Sequence, residues 1–490
     1  MKKSIAAFLL LIIFLITFFS RTLISFQTEK FSYEAYFALR QIENINERAL
    51  PLFEDPLSYG GRTHLFPPVF YYLVSLFSFF GIDIAAKIIP NLLSSLIVIV
   101  VYLISFHITK HRLISLLTAF FSGFIPILFV TINDISIYSL VLLLILSVIY
   151  FIMKIGDSSY MKPTLFFLVI LVFSHSSSFL LIVGLLLFLL LLKIESLEID
   201  KKEIELILFA SFLVLWFNFI VYKKAFLIHG PFVIWQNIPL QILTNYFFDL
   251  NIIQSIYYVG IVPVVLGIYA IYHVLFKVKR RSVFLLVSMF LSILVLLWLK
   301  LIRFKTGLIF LSLMLVLLSG YSIKLFYSYL MKTKIHNSAN WFLFGVFVVF
   351  FLTAVIPSFN LAFSSLNKVP SHSEIKAMNW LEQNTDKDSV VLSRLEEGYL
   401  INYFANRKSV IDQDFLLVND AQQRYEDVQS VFSLRLKTEA VRRLNKYDVD
   451  YLYFSGKFGD ETKLYYTDKD CFELVYNESV EIYRVHCTIE

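Results

Sequence analysis

Apolar runs long enough to cross a lipid bilayer dominate the first 365 residues of this chain, and they rule out most soluble folds at once. A helix needs about 18 or more mostly apolar residues to span the hydrocarbon core. Such runs occur near residues 4–27, 82–106, 113–132, 135–153, 204–222, 256–276, 283–299, 306–326 and 341–359. The stretch 163–193 is too long for one crossing, and Ser174-His175-Ser176-Ser177-Ser178 interrupts it. It reads as two spans with the polar break at a membrane surface. An α-helical polytopic membrane protein of about 11 spans is expected. No small-residue cleavage site follows the first run, which favours an uncleaved anchor over a signal peptide.

Charge divides the chain in two. Only 16% of the residues are charged, against about 25% in a soluble protein. Residues 1–365 carry a net charge of +12 and residues 366–490 one of −6. The basic excess thus belongs to the lipid-embedded part and points to no nucleic acid. With the N-terminus cytoplasmic, the inside loops hold Lys110-His111-Arg112, Lys154 with Lys162, Lys201-Lys202, Lys277 to Arg281, and Lys324 to Lys334. The outside connections are poorer in Lys and Arg, as the positive-inside bias requires. An odd number of spans then places residues 366–490 outside, in a multi-pass protein of the cell membrane.

Residues 1–365 are expected to form the transmembrane domain, with a long first external loop at 28–81. In that loop Tyr33 to Ile45 reads as a short two-faced helix suited to the membrane interface. Pro67-Pro68 opens a second short apolar helix, Val69 to Phe80. Another external segment, Lys223 to Ser255, carries His229, Trp235 and Asp249. Residues 366–490 have soluble patterning and are expected to form a small α/β domain. A helix over Ser373 to Asn384 is expected, with Ser371 or Ser373 as its cap. Strands are expected at Ser389 to Leu392, Lys408 to Ile411, Tyr451 to Phe454, Phe472 to Tyr476 and Val480 to Val485. Helical segments are expected at Gly398 to Phe404 and Thr438 to Asn445. Cys471 and Cys487 flank the last hairpin and, outside the membrane, are expected to form a disulfide across it. The alternative is two unpaired thiols.

No metal-spacing cluster, phosphate-cradling glycine loop or nucleotide fingerprint occurs in the sequence. A resemblance does. Glu34-Ala-Tyr-Phe-Ala-Leu-Arg40, followed by Ile-Glu-Asn, resembles the first-loop motif Asp-x-Tyr-Tyr-His-Leu-Arg of archaeal GT-C membrane glycosyltransferases. Asp55-Pro-Leu-Ser-Tyr-Gly-Gly-Arg62 and Pro67-Pro68-Val-Phe-Tyr-Tyr72 look like its continuation. The break at Ser174 to Ser178 and the pair Arg303-Phe304 also match positions of oligosaccharyltransferase catalytic subunits. Ala377-Met-Asn-Trp-Leu-Glu-Gln-Asn-Thr385 is similar to the helix before their acceptor-reading motif. That motif, Trp-Trp-Asp-Tyr-Gly, would fall on Arg394-Leu395-Glu396-Glu397-Gly398, where only the glycine is kept. Glu34 stands for the usual Asp and Ala38 for the usual His, and the second-loop acidic motif is reduced to Asn133-Asp134. A relative with another acceptor is implied; protein O-mannosyltransferases are similar in kind.

The resemblance implies a hexosyl- or pentosyltransferase that moves a sugar from a polyisoprenyl-phosphate donor to a glycan, lipid or protein acceptor at the outer membrane face, among membrane lipid. Glu34 and Asp55 would be the catalytic carboxylates, as general base or as cation ligand. Asp134 with Glu34 would hold a divalent cation, Mg or Mn. Arg303, Lys300 and Lys305 would bind the donor phosphate, and Arg40, Arg62, His64 and His175 would line the cavity. Each has a plainer reading: a solvated helix residue for Glu34, a turn residue for Asp55 and Asp134, snorkelling for the basic trio, a structural histidine for His175. Two other classes stay open. One is a transporter, against which the spans are nearly free of buried charge and no repeat is visible. The other is a catalytically decayed paralogue serving as a receptor or assembly protein.

Overall fold

The computed structural model describes residues 2–246, 251–334, 336–459 and 463–488; Asp249 and Glu490 lie outside them. The chain forms two compact units. The first comprises Met1–Glu29, Pro67–Val221 and Asn245–Asn367; the second, Lys30–Phe66, Tyr222–Thr244 and Lys368–Glu490.

The first unit is helical. Among the described residues, six helical stretches are long and apolar enough to span a membrane: Lys3–Ser25, Ile82–Thr109, Lys201–Thr244, Arg281–Trp298, Phe304–Leu330 and Ala339–Leu366. Within Lys201–Thr244 the α-helix proper is Lys201–His229. Four shorter apolar helices add to these, at Arg112–Gly123, Tyr138–Ile152, Ser158–Ser174 and Ser178–Ile194. The polar break does separate two helices. Where 113–132 was expected to run on, the helix stops at Gly123 and a short turn, Pro126–Phe129, follows. Pro126 forces Ile125 into extended backbone, which no continuous helix accommodates. Near 256–276, Ile252–Val259 and Ile261–Phe276 meet at 97°. The hinge is Gly260 at φ 96°, a conformation open chiefly to glycine.

Phe304–Leu330 is the central helix, with 83% of its apolar window buried against 17% for Lys3–Ser25. It packs against Ile261–Phe276 and Arg281–Trp298. The expectation of spans nearly free of buried charge fails at Arg21 and Lys87, both buried. Arg21 donates to Asn91 Oδ1 at 3.1 Å and to the Leu128 carbonyl at 2.9 Å. Lys87 donates to the carbonyls of Ser25, at 2.9 Å, and of Thr28. Carbonyl oxygens satisfy both cations, so they tie helices together.

The basic loops share one end of this unit. Lys279 pairs with Glu195 at 2.6 Å, Arg281 with Glu203, and the His111 ring packs tilted against Tyr327 with centroids 5.0 Å apart. Elsewhere in the unit, Lys305 lies 3.7 Å from Asp134, and Tyr138 meets the His175 ring edge-on at 5.4 Å.

The second unit is α/β. Its sheet runs Lys408–Ser409, Val390–Leu392, Tyr451–Phe454, Glu481–Val485, Phe472–Asn477. The first three strands are parallel and the last two join antiparallel. Val391, Leu392, Leu452 and Tyr453 are wholly buried, as parallel strands covered by helices should be. Helix His372–Asn384 starts at a capping box: the Glu374 N–H donates to Ser371 Oγ and the Ser371 N–H to Glu374 Oε2. Lys437–Lys446 forms as expected, and the disulfide Cys471–Cys487 closes the terminal hairpin. Ala421–Ser433 is a helix the sequence pattern does not announce. Its inner face includes the buried Arg424 beside Val428, Val431 and Phe432, so a polar residue interrupts the apolar period.

First-loop residues 30–66 are built into this α/β unit. Helix Ala35–Arg48 buries Tyr36, Leu39, Ile42 and Ile45. Tyr36 packs on Tyr403 and Phe404, with centroids 5.2 and 5.0 Å apart. Protein covers the apolar face that was expected to lie in the membrane interface. The hairpin Glu54–Asp55 with Arg62–Thr63 follows, and the backbone of Leu57 to Tyr59 pairs with Ser409 at the sheet edge.

Candidate functional site

Glu34 immediately precedes helix Ala35–Arg48, is exposed, and makes no capping bond. Behind it lies a buried network of charges. Arg40 donates through both terminal nitrogens to Asp55, at 2.8 and 2.7 Å. Arg62 grips Asp412 in the same forked way, at 2.8 and 2.6 Å, and donates to the Asp414 carbonyl. His64 bridges two carboxylates, with Nδ1 2.7 Å from Asp414 and Nε2 3.3 Å from Asp55.

This geometry sets the titration of each member. Burial pushes Asp55 up, but the bonds from His64 and Arg40 outweigh it and hold the carboxyl below the usual carboxylate range. Burial raises Asp414 likewise, and Arg62 and His64 overcome it. Burial lowers His64, and its two carboxylates more than reverse that. A carboxylate held so firmly ionised between cations is a poor proton acceptor. Asp55 is engaged by Arg40 and His64 in this network. Arg40 and Arg62 line an open cleft in the unit, while His64 is buried.

Sequence reasoning did not single out Asp412, Asp414 or Tyr399. Burial raises the Tyr399 phenol well above its usual value, and it feels Asp412, Asp414, Arg62 and Glu34. Glu34 thus borders the same cluster. The signal in the sequence was Asp412-Gln-Asp414, two carboxylates of like spacing to Arg62-Thr-His64. The motif position Arg394–Gly398 holds no acceptor-reading aromatic pair. Arg394 stacks on Phe432, 4.5 Å from its centroid, and donates to Gln429 at 2.9 Å. Glu397 is fully buried, and burial pushes it up to about 8.

In the first unit, Lys300 lies in the turn leading into Phe304–Leu330, Arg303 is the N-cap of that helix and Lys305 is in its first turn. Unpaired amides at a helix N-terminus favour anions, and here three cations flank them. His175 Nδ1 accepts from the Ser177 N–H at 3.0 Å and so shapes the turn between two helices. Among the described residues, no group of three His, Cys, Asp or Glu side chains is placed to hold a metal ion. Asp134, expected to be a ligand, faces Lys305 instead. Among the described residues, the side chains expected as ligands do not come together in a set that fits a divalent cation.

No family model matches the chain, and no curated protein matches it in sequence. Solved structures do. The apo Archaeoglobus fulgidus oligosaccharyltransferase matches at TM-score 0.70 and 15% identity, over 93% of this chain and 70% of that one. ArnT from Cupriavidus metallidurans bound to undecaprenyl phosphate matches at TM-score 0.53 and 10% identity, over 98% of each chain. Arabinofuranosyltransferase AftD from Mycobacteria matches at TM-score 0.60 and 15% identity, over all of this chain and 42% of that one. The chain has the GT-C fold. The archaeal GT-C enzyme has also been seen with Zn and sulfate. At these identities the likeness establishes the fold alone, and the chemistry rests on this chain's own residues.

Proposed function

We propose that this protein is a glycosyltransferase that moves a hexosyl or pentosyl unit from a polyisoprenyl-phosphate donor to an acceptor at the outer face of the membrane. One observation carries the reading: of the two first-loop carboxylates expected to be catalytic, Asp55 is locked between Arg40 and His64, while Glu34 is exposed and uncommitted to any cap. Glu34 takes the acceptor hydroxyl proton. The acceptor oxygen bonds to the anomeric carbon as its bond to the donor phosphate breaks, and polyisoprenyl phosphate leaves. Arg303, with Lys300 and Lys305 at the helix N-terminus, takes the phosphate charge. Two matching GT-C structures contain lipid phosphates, dolichol-phosphate in the archaeal enzyme and undecaprenyl phosphate in ArnT, which supports a donor of this class. The archaeal structure tethered to an NVT sequon peptide has no counterpart motif here, which supports an acceptor other than that peptide.

The test is sugar transfer from a polyisoprenyl-phosphate sugar. Glu34→Gln should insert and fold normally yet lose at least about a hundredfold in rate, and Glu34→Asp should keep part of it. Arg303→Ala should weaken donor binding, and Arg303→Lys should restore only some of it, because a point charge cannot reproduce the planar fork. Wild-type turnover in Glu34→Gln would show that Glu34 is not the general base.

A further inference from the structure

We infer that the open cleft of the α/β unit binds an uncharged oligosaccharide. The cleft has a volume of about 1070 Å³. Single small-molecule sites occupy about 300–1,000 Å³, so there is room for several sugar rings. Its lining is chiefly polar and rich in groups with two hydrogen-bonding atoms: Asn44, Asn406, Asn419, Glu47, Glu54 and Glu382 all face it. Amide and carboxylate pairs match the spacing of adjacent ring hydroxyls, where they accept or donate two bonds at once.

The charges argue against an anionic ligand. Of the four lining cations, Arg40 is paired with Asp55 and Arg62 with Asp412, Lys224 donates to Thr63, which itself donates to Glu54, and Arg48 is exposed. Beyond the two ion pairs, Glu43, Glu47, Glu54 and Glu382 outnumber Arg48 and Lys224 in the lining, and that excess of carboxylates disfavours phosphate and acidic polymers. Half-buried Tyr403 adds a ring whose hydroxyl is held by Glu43 at 2.6 Å, an apolar surface for the C–H face of a sugar. The wall is preorganised: Asn402 donates to the Leu57 and Arg407 carbonyls at 3.0 and 3.1 Å and accepts from Ser409. Fixed hydrogen-bonding groups lose little entropy on binding. The ligand's role as glycosyl acceptor rests on the transferase reading; its binding does not.

The experiment uses the full chain in detergent or nanodiscs, without donor. Maltohexaose, xylohexaose, mannohexaose and arabinohexaose are titrated by saturation-transfer difference NMR, with a heparin hexasaccharide as the acidic comparator. At least one neutral hexasaccharide should bind at millimolar concentration or below, and more tightly than heparin. Asn419→Trp, which fills the cleft from an exposed position, and Glu382→Ala should each weaken it at least fivefold; should Asn419→Trp misfold, Glu382→Ala decides. No neutral binding, stronger heparin binding, or unchanged affinity in the folded variants overturns the inference. Binding that persists while Glu34→Gln retains full transfer would sink the catalytic reading alone.

Discussion

His64 is the residue whose surroundings most sharply define a measurable behaviour. Its folded value is raised, so the stability it contributes is whole below its unfolded value of about 6.5 and is lost as pH rises through the folded value. Asp55 and Asp414 are lowered, so their contribution is whole above about pH 4 and is lost as pH falls through their folded values. Glu397, raised to about 8, adds its own decline as pH climbs from its ordinary value toward 8, because the folded state holds a proton the unfolded state has released. The informative quantity is therefore the difference between wild type and His64→Gln in melts across pH. Their gap should be widest below about pH 6.5 and should narrow toward alkaline pH. A gap independent of pH would mean that His64 binds its proton equally well folded and unfolded. Asp55 was legible as a functional carboxylate only by motif position; its engagement by Arg40 and His64 depends on chain folding that spacing does not reveal.

At the scale of the element, Gly398 shows why one residue of the acceptor-motif position is kept. It begins a helical turn, and a Cβ added there would come within 2.1 Å of the Ile411 carbonyl oxygen and 2.8 Å of Asp412 Cβ. Backbone cannot yield as a flexible side chain can. Gly398→Ala must displace the segment whose Asp412 and Asp414 receive Arg62 and His64, and it should cost about 3 kcal/mol. Denaturant unfolding would measure it, and an effect below about 0.5 kcal/mol would show that the segment shifts freely. Most strands and the helices His372–Asn384 and Lys437–Lys446 were readable from apolar period and caps. Ala421–Ser433 was not, because Arg424 occupies its buried face and satisfies itself on the Tyr59 and Val410 carbonyls.

For the whole molecule, the open question of orientation has a direct test. The basic loops around Glu195, Glu203 and Lys279 are joined by ion pairs at one end of the helical unit, and from the positive-inside bias we propose that this end is cytoplasmic. A tag after Glu490 should be reached from outside intact cells, and one inserted at Lys279 should not. Labelling of both from the same side would overturn the topology and, with it, transfer at the outer face.

Composition and apolar run length by themselves determined a multi-pass helical protein with a water-soluble α/β segment, because lipid leaves the backbone no spanning structure here but the helix. The sequence also determined the polar break at Ser174 to Ser178, since a run of polar residues acts locally. Tertiary structure alone decided that residues 30–66 join the α/β unit rather than lie in the membrane interface, that Arg21 and Lys87 are buried on carbonyl oxygens, and that Asp55 is consumed by its neighbours. A two-faced helix records only that one side must be covered, and lipid and protein cover it equally well. Which of them does so is settled by partners such as Tyr403 and Phe404, more than 350 residues further along the chain.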